Sequence, residues 1–399
     1  EAGRLQLKAI DFVNIFLQYV NQVIPSLSAE VQTMFQTIVN PNLNRNSQQA
    51  YHYSLETICD TKVFGKDMGN MSLVSLNAQY CSEAYDTWAE AVSISNANTL
   101  SRTLSVLLNF CVSLDILSNK QTISFEFFPP RREEGIPDVV DKMKMLSDYA
   151  PDFISVTYGA GGSTQNFTEE LSRIAKADLN LEVMSHITCV GQTSTEIDLV
   201  LNRLKNNNID NIIGLRGDPP KGSNKFVPTD GGFQYASQLI NHINNHFDFC
   251  VAAAAYPESH TESINPKSDI EHLKEKVDMG VDFLITQLFF DNNYYYDFVE
   301  RARAAGIHIP IIPALLPILN ASQIRRFTTL CGASIPTDLN SLLTQMEDND
   351  DQVIQLGIDY ATQQAENLLS NKVPGIHFYV LNKNYSVQKI LKNLNLVPH

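Results

Sequence analysis

Short apolar segments alternate with amphipathic ones from about residue 121 to the end of the chain. Eight segments are predicted as strands, at residues 123–128, 153–158, 182–188, 211–215, 250–256, 283–287, 309–315 and 375–381. The segments between them, such as 139–146, 197–204, 270–277 and 294–305, have the 3.6-residue apolar period of helices. This alternation indicates βα units, and eight of them predict an α/β fold, a closed (β/α)8 TIM-type barrel. An open doubly wound sheet is the alternative.

The first 120 residues have a different pattern. Apolar residues recur at helical spacing within 13–24, 31–39, 73–84 and 104–114, and residues 42–70 read mostly as connection. We therefore predict an all-helical segment or small bundle over 1–120, joined to a barrel over 121–399. The sequence does not indicate the role of this segment. It either covers one end of the barrel or mediates association, with a second copy of the chain or with a partner protein.

Charge and composition exclude several classes of partner. The formal net charge is -15 and 44% of the residues are hydrophobic, as in a globular protein with a sizeable core. A net negative field repels phosphate backbones, so a nucleic acid is not an expected partner. No apolar run approaches the roughly 20 residues of a membrane span, and the six cysteines lack zinc-site spacing, so no metal is expected. The cytoplasm and the mitochondrial matrix are both compatible with this sequence.

The carboxyl ends of barrel strands are where polar residues point to chemistry. The first predicted strand carries Glu126 among Phe125, Phe127 and Phe128. If these rings exclude water, the pKa of the Glu126 carboxyl should rise, which suits a general acid. The alternative is that Glu126 pairs with a buried Arg or Lys.

Other strand ends add further polar groups. The runs are Thr157-Tyr158-Gly159-Ala160, His186-Ile187-Thr188-Cys189, Arg216-Gly217-Asp218, Tyr256-Pro257-Glu258-Ser259-His260 and Thr286-Gln287. Each run alone is weak, because a lone histidine is more often a core residue than a ligand contact. No GxGxxG follows a strand, so a Rossmann dinucleotide site is not supported.

Seven motifs in order resemble the signature of the methylenetetrahydrofolate reductase family. They are Ser-Phe-Glu-Phe-Phe-Pro-Pro, Val-Thr-Tyr-Gly-Ala, His-Ile-Thr-Cys, Leu-Arg-Gly-Asp-Pro-Pro, Ala-Ala-Tyr-Pro-Glu-Ser-His, Thr-Gln-Leu-Phe-Phe-Asp and His-Phe-Tyr-Val-Leu-Asn. The resemblance implies a flavoprotein oxidoreductase of one-carbon metabolism and methionine biosynthesis. Its members use NADH or NADPH and FAD to reduce 5,10-methylenetetrahydrofolate to 5-methyltetrahydrofolate, by ping-pong hydride transfer through the flavin.

The resemblance also implies residue roles. Glu126 matches the general acid that helps open the five-membered ring of the folate, Asp218 a carboxylate beside the flavin and the pterin, and Gln287 an amide that orients the substrate. Substrate contacts are implied for Thr157, Asp218, Gln287, Phe327 and Lys383. Lys383 stands where an arginine is frequent in the family, so contact with the folate tail is expected to differ.

The implied FAD site is larger. It comprises Thr157, Tyr158, Ala160, His186, Arg216, Gly217, Asp218, Tyr235, Ala236, Tyr256, His260, Asp269 and Lys276. Lys276 and His260 suit a pyrophosphate, and Asp269 suits a ribose hydroxyl.

Two other functions stay open at this point. The chain is alternatively a reductase-like accessory subunit, docked into a larger assembly by its N-terminal helices, with little or no turnover. A related flavin barrel such as a proline dehydrogenase is a third reading, and the Phe-Glu-Phe-Phe-Pro-Pro strand argues against it.

Overall fold

A computed structural model describes residues 54, 57, 61–63, 66–67, 78–91, 93–100, 121–158, 165–218 and 226–396. The chain divides into two compact units. One comprises residues 1–119 with Ile243–Asp248, and the other comprises Lys120–His242 with Phe249–His399. No helix in the described part of the chain is long and apolar enough to cross a membrane.

The first unit contains a short hairpin and helices. Strand β1 (Lys62–Val63) pairs antiparallel with β2 (Lys66–Asp67), and helix α1 (Ala78–Ala91) follows. Trp88 of α1 is buried, and its indole N–H donates to the Thr61 hydroxyl at 2.6 Å. The hairpin departs from the all-helical prediction. Two strands of two residues each, joined by two residues, are too short to leave a recognisable period in the sequence. The predicted helices at 13–24, 31–39 and 104–114 lie outside the described residues, and the role of residues 1–120 stays a prediction.

The second unit is a parallel barrel. Its strands are β3 (Thr122–Phe127), β4 (Phe153–Val156), β5 (Val183–Thr188), β6 (Asn211–Leu215), β7 (Cys250–Ala255), β8 (Phe283–Thr286), β9 (Ile311–Ile312), β10 (Ala314–Leu315) and β11 (Gly375–Tyr379). The order is β10-β11-β3-β4-β5-β6-β7-β8-β9, with every pair parallel. Pro313 separates β9 from β10 because proline has no N–H to donate to a ladder. These two form one interrupted strand, so eight strands close the ring, which confirms the barrel over the open sheet.

Helices surround the strands. They are α2 (Ile136–Ser147), α3 (Gln165–Ala177), α4 (Ser194–Asn206), α5 (Ala236–His246), α6 (Pro266–Asp278), α7 (Asn292–Ala304), α8 (Ala321–Cys331), α9 (Thr337–Gln345), α10 (Asp350–Ser370) and α11 (Asn384–Asn393). The four helical segments quoted from the sequence fall in α2, α4, α6 and α7, to within one residue. The N-terminus of α4 is closed by a capping box of Thr193 and Glu196, which satisfies backbone donors that lack helical partners.

Alternate residues of each strand face the barrel interior. An apolar cluster fills the interior and is made of Phe153, Met184, Ile213, Ala252, Ile285, Ile312 and Ala314. Strand register and alternation place five polar side chains on the same side of the sheet, namely Ser124, Glu126, Ser155, His186 and His377. The barrel interior therefore contains a cluster of polar side chains next to the apolar cluster.

Helices α8 and α9 are an insertion between β10 and α10. The cluster that holds the buried face of α8 includes Leu288 and Phe290, which follow β8, and Leu316 and Ile318, which follow β10. Because these residues come directly after strands, α8 lies at the carboxyl ends of the barrel, where the sequence predicts the active site.

Candidate active site

Glu126 lies in a buried group of polar side chains. Its Oε2 is 3.4 Å from Nε2 of His186 and 3.7 Å from Nε2 of His377. The Ser155 hydroxyl donates to the same oxygen at 3.4 Å and lies at the same distance from Nε2 of His377. Ser124 Oγ is 2.8 Å from Nδ1 of His377, so the imidazole has a polar neighbour at each ring nitrogen.

The structure corrects the predicted pKa of Glu126. Burial raises the pKa of this carboxyl, as the sequence suggested, but the nearby imidazoles of His186 and His377 outweigh burial and lower the pKa to about 2. The expected raised pKa is therefore wrong. The alternative partner, a buried Arg or Lys, is also wrong, because the neighbours are imidazoles. Neutral and charged imidazoles can exchange a proton with a carboxylate, so the group remains suited to proton transfer.

His377 is a site residue that sequence reasoning missed. It is fully buried in β11, and its ring stacks on that of Phe153 with the centroids 5.9 Å apart. Its motif, His-Phe-Tyr-Val-Leu-Asn, was recognised, but the histidine was not assigned a role. The strand register could have indicated it: His377 is a polar residue that faces the barrel interior, and its strand, β11, pairs with β3, which carries Glu126.

A second group of polar residues follows β7 and extends into α6. The rings of Tyr256 and His260 meet edge to face at 4.7 Å, and the backbone N–H of His260 donates to Asp269 at 3.3 Å. Lys276 Nζ donates to the carbonyl of Ala254 at 2.6 Å. Burial lowers the pKa of Lys276 to about 8, although Asp269 acts in the opposite direction. Burial likewise raises the pKa of Asp269.

Arg216, Gly217 and Asp218 form the turn after β6. Arg216 makes a two-pronged ion pair with Glu262, at 2.6 and 2.7 Å, and Glu262 is the main cause of the raised pKa of Arg216. Gly217 has a φ of +85°, and an added Cβ would lie 3.1 Å from the Thr188 Cβ. Glycine is therefore required by both conformation and space. Asp218 is exposed, and its charge raises the pKa of Tyr256, after the larger effect of burial. Glu262 was not singled out from the sequence.

The remaining predicted residues occupy varied positions. Gln287 is half-buried at the end of β8, and its side-chain oxygen accepts from the Leu288 N–H at 2.8 Å. Thr157 is buried, and the Tyr158 hydroxyl donates to Gln192 at 3.1 Å. Tyr235 is exposed and precedes Ala236, the first residue of α5. Ala160 lies outside the described residues.

Two predicted substrate residues lie on or next to the later helices. Phe327, on α8, is partly buried against the cluster that also contacts Tyr379. Lys383 is exposed and precedes α11. The preceding residue, Asn382, exchanges two hydrogen bonds with the Phe128 backbone at 3.0 and 2.8 Å, which ties the ends of β3 and β11 together.

The donors and acceptors at the strand ends fit a flavin dinucleotide. Arg216, His260 and Lys276 could offer donors to a pyrophosphate, Asp269 could accept from a ribose hydroxyl, and the Gly217 turn would admit close approach of the cofactor to the backbone. In the described ranges, no group of three or more His, Cys, Asp or Glu side chains is placed to hold a metal ion.

Comparison with known proteins identifies a family for this barrel. The family model described as methylenetetrahydrofolate reductase matches residues 112–395. "Methylenetetrahydrofolate reductase (NADH) 1" of Arabidopsis thaliana is 38% identical over 285 residues, 69% of this chain and 48% of the relative. "Methylenetetrahydrofolate reductase 2" of Saccharomyces cerevisiae is 36% identical over 288 residues, 70% of this chain and 48% of the relative.

A bacterial relative is shorter. "5,10-methylenetetrahydrofolate reductase" of Escherichia coli is 34% identical over 286 residues, 72% of this chain and 95% of the relative. The chain thus spans about half the length of the plant and yeast relatives and nearly all of the bacterial one. The matched region contains the whole barrel with the Glu126 group and the strand-end residues described above. The chain therefore belongs to the methylenetetrahydrofolate reductase family.

Proposed function

We propose that this protein reduces 5,10-methylenetetrahydrofolate to 5-methyltetrahydrofolate with FAD as its bound cofactor. The observation that carries the proposal is the buried Glu126–His186–His377 group inside a barrel of this family. NADH is the first choice of reductant, because plant relatives carry NADH in their names. NADPH is the second.

FAD, when bound, would supply hydride chemistry, accepting a hydride from the nicotinamide and delivering it to the folate in a ping-pong cycle. Arg216, His260 and Lys276 would hold its phosphates, and Asp269 a ribose hydroxyl. The half-buried Lys276 has a neighbouring carboxylate, Asp269, whose charge favours the protonated form of the lysine. A cation at this position is what an anionic pyrophosphate requires.

Proton delivery would fall to the residues around Glu126. Opening the five-membered ring of the folate requires a proton on the departing nitrogen, and a positioned acid speeds such a step by about 10²- to 10⁴-fold. Burial raises the pKa of the Glu126 carboxyl, but His186 and His377 outweigh it and lower the pKa, which favours the ionised form before the folate binds. The bound folate would therefore have to change these surroundings for Glu126 to hold the proton. Asp218 and Gln287 would orient the folate beside it.

The test is an anaerobic absorbance experiment on the purified full chain. Bound flavin is expected to bleach with NADH and to be reoxidised by 5,10-methylenetetrahydrofolate. Glu126→Gln should bleach at the parental rate and be reoxidised at least about 100-fold more slowly. Glu366→Gln is the matched control, since Glu366 is an exposed residue of α10. Flavin that neither NADH nor NADPH reduces would refute the proposal in favour of the accessory-subunit function.

A further inference from the structure

The loop after β7 contacts the end of α8. Helix α8 ends at Gly332, whose φ is +76° and whose N–H donates to the carbonyl of Thr328 at 2.8 Å. A Cβ added at Gly332 would lie 2.8 Å from the Thr261 Cγ2. The left-handed turn that ends α8 is therefore packed closely on the loop that carries Tyr256 and His260.

A carboxylate strengthens this contact. Both oxygens of Glu258 accept the backbone N–H of Ser334, each at 3.0 Å. Glu258 is half-buried, and burial raises its pKa, while the bonds from Ser334 act in the opposite direction. The nearby charged or titratable groups are Asp291, which also raises the pKa of Glu258, and Cys331. An ionised carboxylate accepts from a backbone N–H more strongly than a neutral acceptor does.

Two parts of the proposed active site meet at this contact. The loop contains Tyr256 and His260, the proposed flavin residues, and α8 contains Phe327. Phe327 and Cys331 both pack on the cluster at the carboxyl ends of the strands, together with Tyr379. Moving the end of α8 by the length of one hydrogen bond would therefore move the Phe327 ring relative to the flavin loop.

We propose that Glu258 is a positioning residue, whose bond to the Ser334 N–H holds α8 so that the Phe327 ring meets the second substrate in register with the flavin. The inference rests on the proposed function, because the role of Phe327 does. Both carboxylate oxygens of Glu258 accept from the Ser334 N–H, so Glu258 would act through α8 and not directly on a substrate. Its effect should therefore be on the binding of the nicotinamide and of the folate, with little change in the rate once either is bound.

The test compares Glu258→Gln and Glu258→Ala with the parent and with Glu366→Gln. Hydrogen exchange of residues 327–336 should accelerate by roughly tenfold in Glu258→Ala and by less in Glu258→Gln, which keeps one acceptor oxygen. The KM for NADH and for the folate should rise by about three- to tenfold. Flavin content, melting temperature and kcat should stay near parental values.

Two results would overturn the proposal. Unchanged exchange in both variants would show that the bond does not hold the segment, and faster exchange with unchanged KM would show that it stabilises the segment without positioning Phe327. A parent protein without turnover would instead count against the proposed function. In that case, the inference is tested by the binding of a nicotinamide nucleotide that cannot donate a hydride, measured through the change in flavin absorbance. Equal affinity in the parent and the variants would refute it.

Discussion

The ionisation of Glu126 leads to a quantitative prediction. With a pKa of about 2, protonating this carboxyl at pH 7 costs about 7 kcal/mol, at about 1.4 kcal/mol for each unit between pH and pKa. A cost of that size slows direct proton donation by about five powers of ten, which exceeds the usual gain from a general acid. The carboxyl should therefore be ionised in the substrate-free protein and become protonated only when folate binds.

Infrared difference spectroscopy of the parent against Glu126→Gln measures this directly. The carbonyl stretch of a protonated Glu126 should be absent above about pH 4 and should appear at neutral pH after addition of folate. His377→Asn should move the titration to higher pH, because burial would then be opposed by His186 alone. A protonated Glu126 at pH 7 in the substrate-free parent would refute this reasoning. It would show instead that the pKa of Glu126 is raised, as the sequence alone suggested.

Three further predictions concern Glu126, Lys276 and Gly357. The pKa of Glu126 is lower in the folded protein than its ordinary 4.5, so the ionised carboxyl stabilises the fold above about pH 4.5 and this stabilisation is lost as the pH falls toward 2. Urea unfolding at a series of pH values should therefore show that the parent loses about 3 kcal/mol of unfolding free energy over this range, a loss that Glu126→Gln lacks. Lys276→Met should weaken flavin binding by at least about tenfold, measured by fluorescence titration, and an unchanged affinity would remove Lys276 from the site. Gly357→Ala should destabilise the protein by about 2 kcal/mol or more, because the added Cβ would lie 2.1 Å from the Ile318 carbonyl oxygen. Thermal melts measure this, and a melting temperature equal to that of the parent would contradict the close packing at Gly357.

The barrel was predictable because its strands carry strong local patterns. The predicted strand 211–215 coincides with β6, and the other predicted strands differ from the observed ones by at most two residues at either end. The interruption at Pro313 was not foreseen as a boundary, although proline cannot donate to a ladder. The hairpin β1–β2 was missed, since strands of two residues are too short to show a period.

The site was predictable only in part. The motifs indicated Glu126 and Arg216, and the family resemblance implied Lys276, but the partners of Glu126 and Arg216 come from distant positions in the chain. Glu262 lies 46 residues from Arg216, and no local spacing relates them. The roles carried over from the family resemblance stay predictions, including those of Thr157, Gln287 and Lys383.

The sequence by itself determined that the chain forms a barrel and which strand ends carry chemistry, because period and turn signals are local properties. Only the tertiary structure decided in which direction the pKa of Glu126 moves. Its aromatic neighbours in sequence predicted a raised pKa, whereas His186 and His377, from β5 and β11, lower it. A pKa depends on the groups within a few ångströms, and closing the barrel brings these imidazoles to Glu126 from residues 60 and 251 positions away.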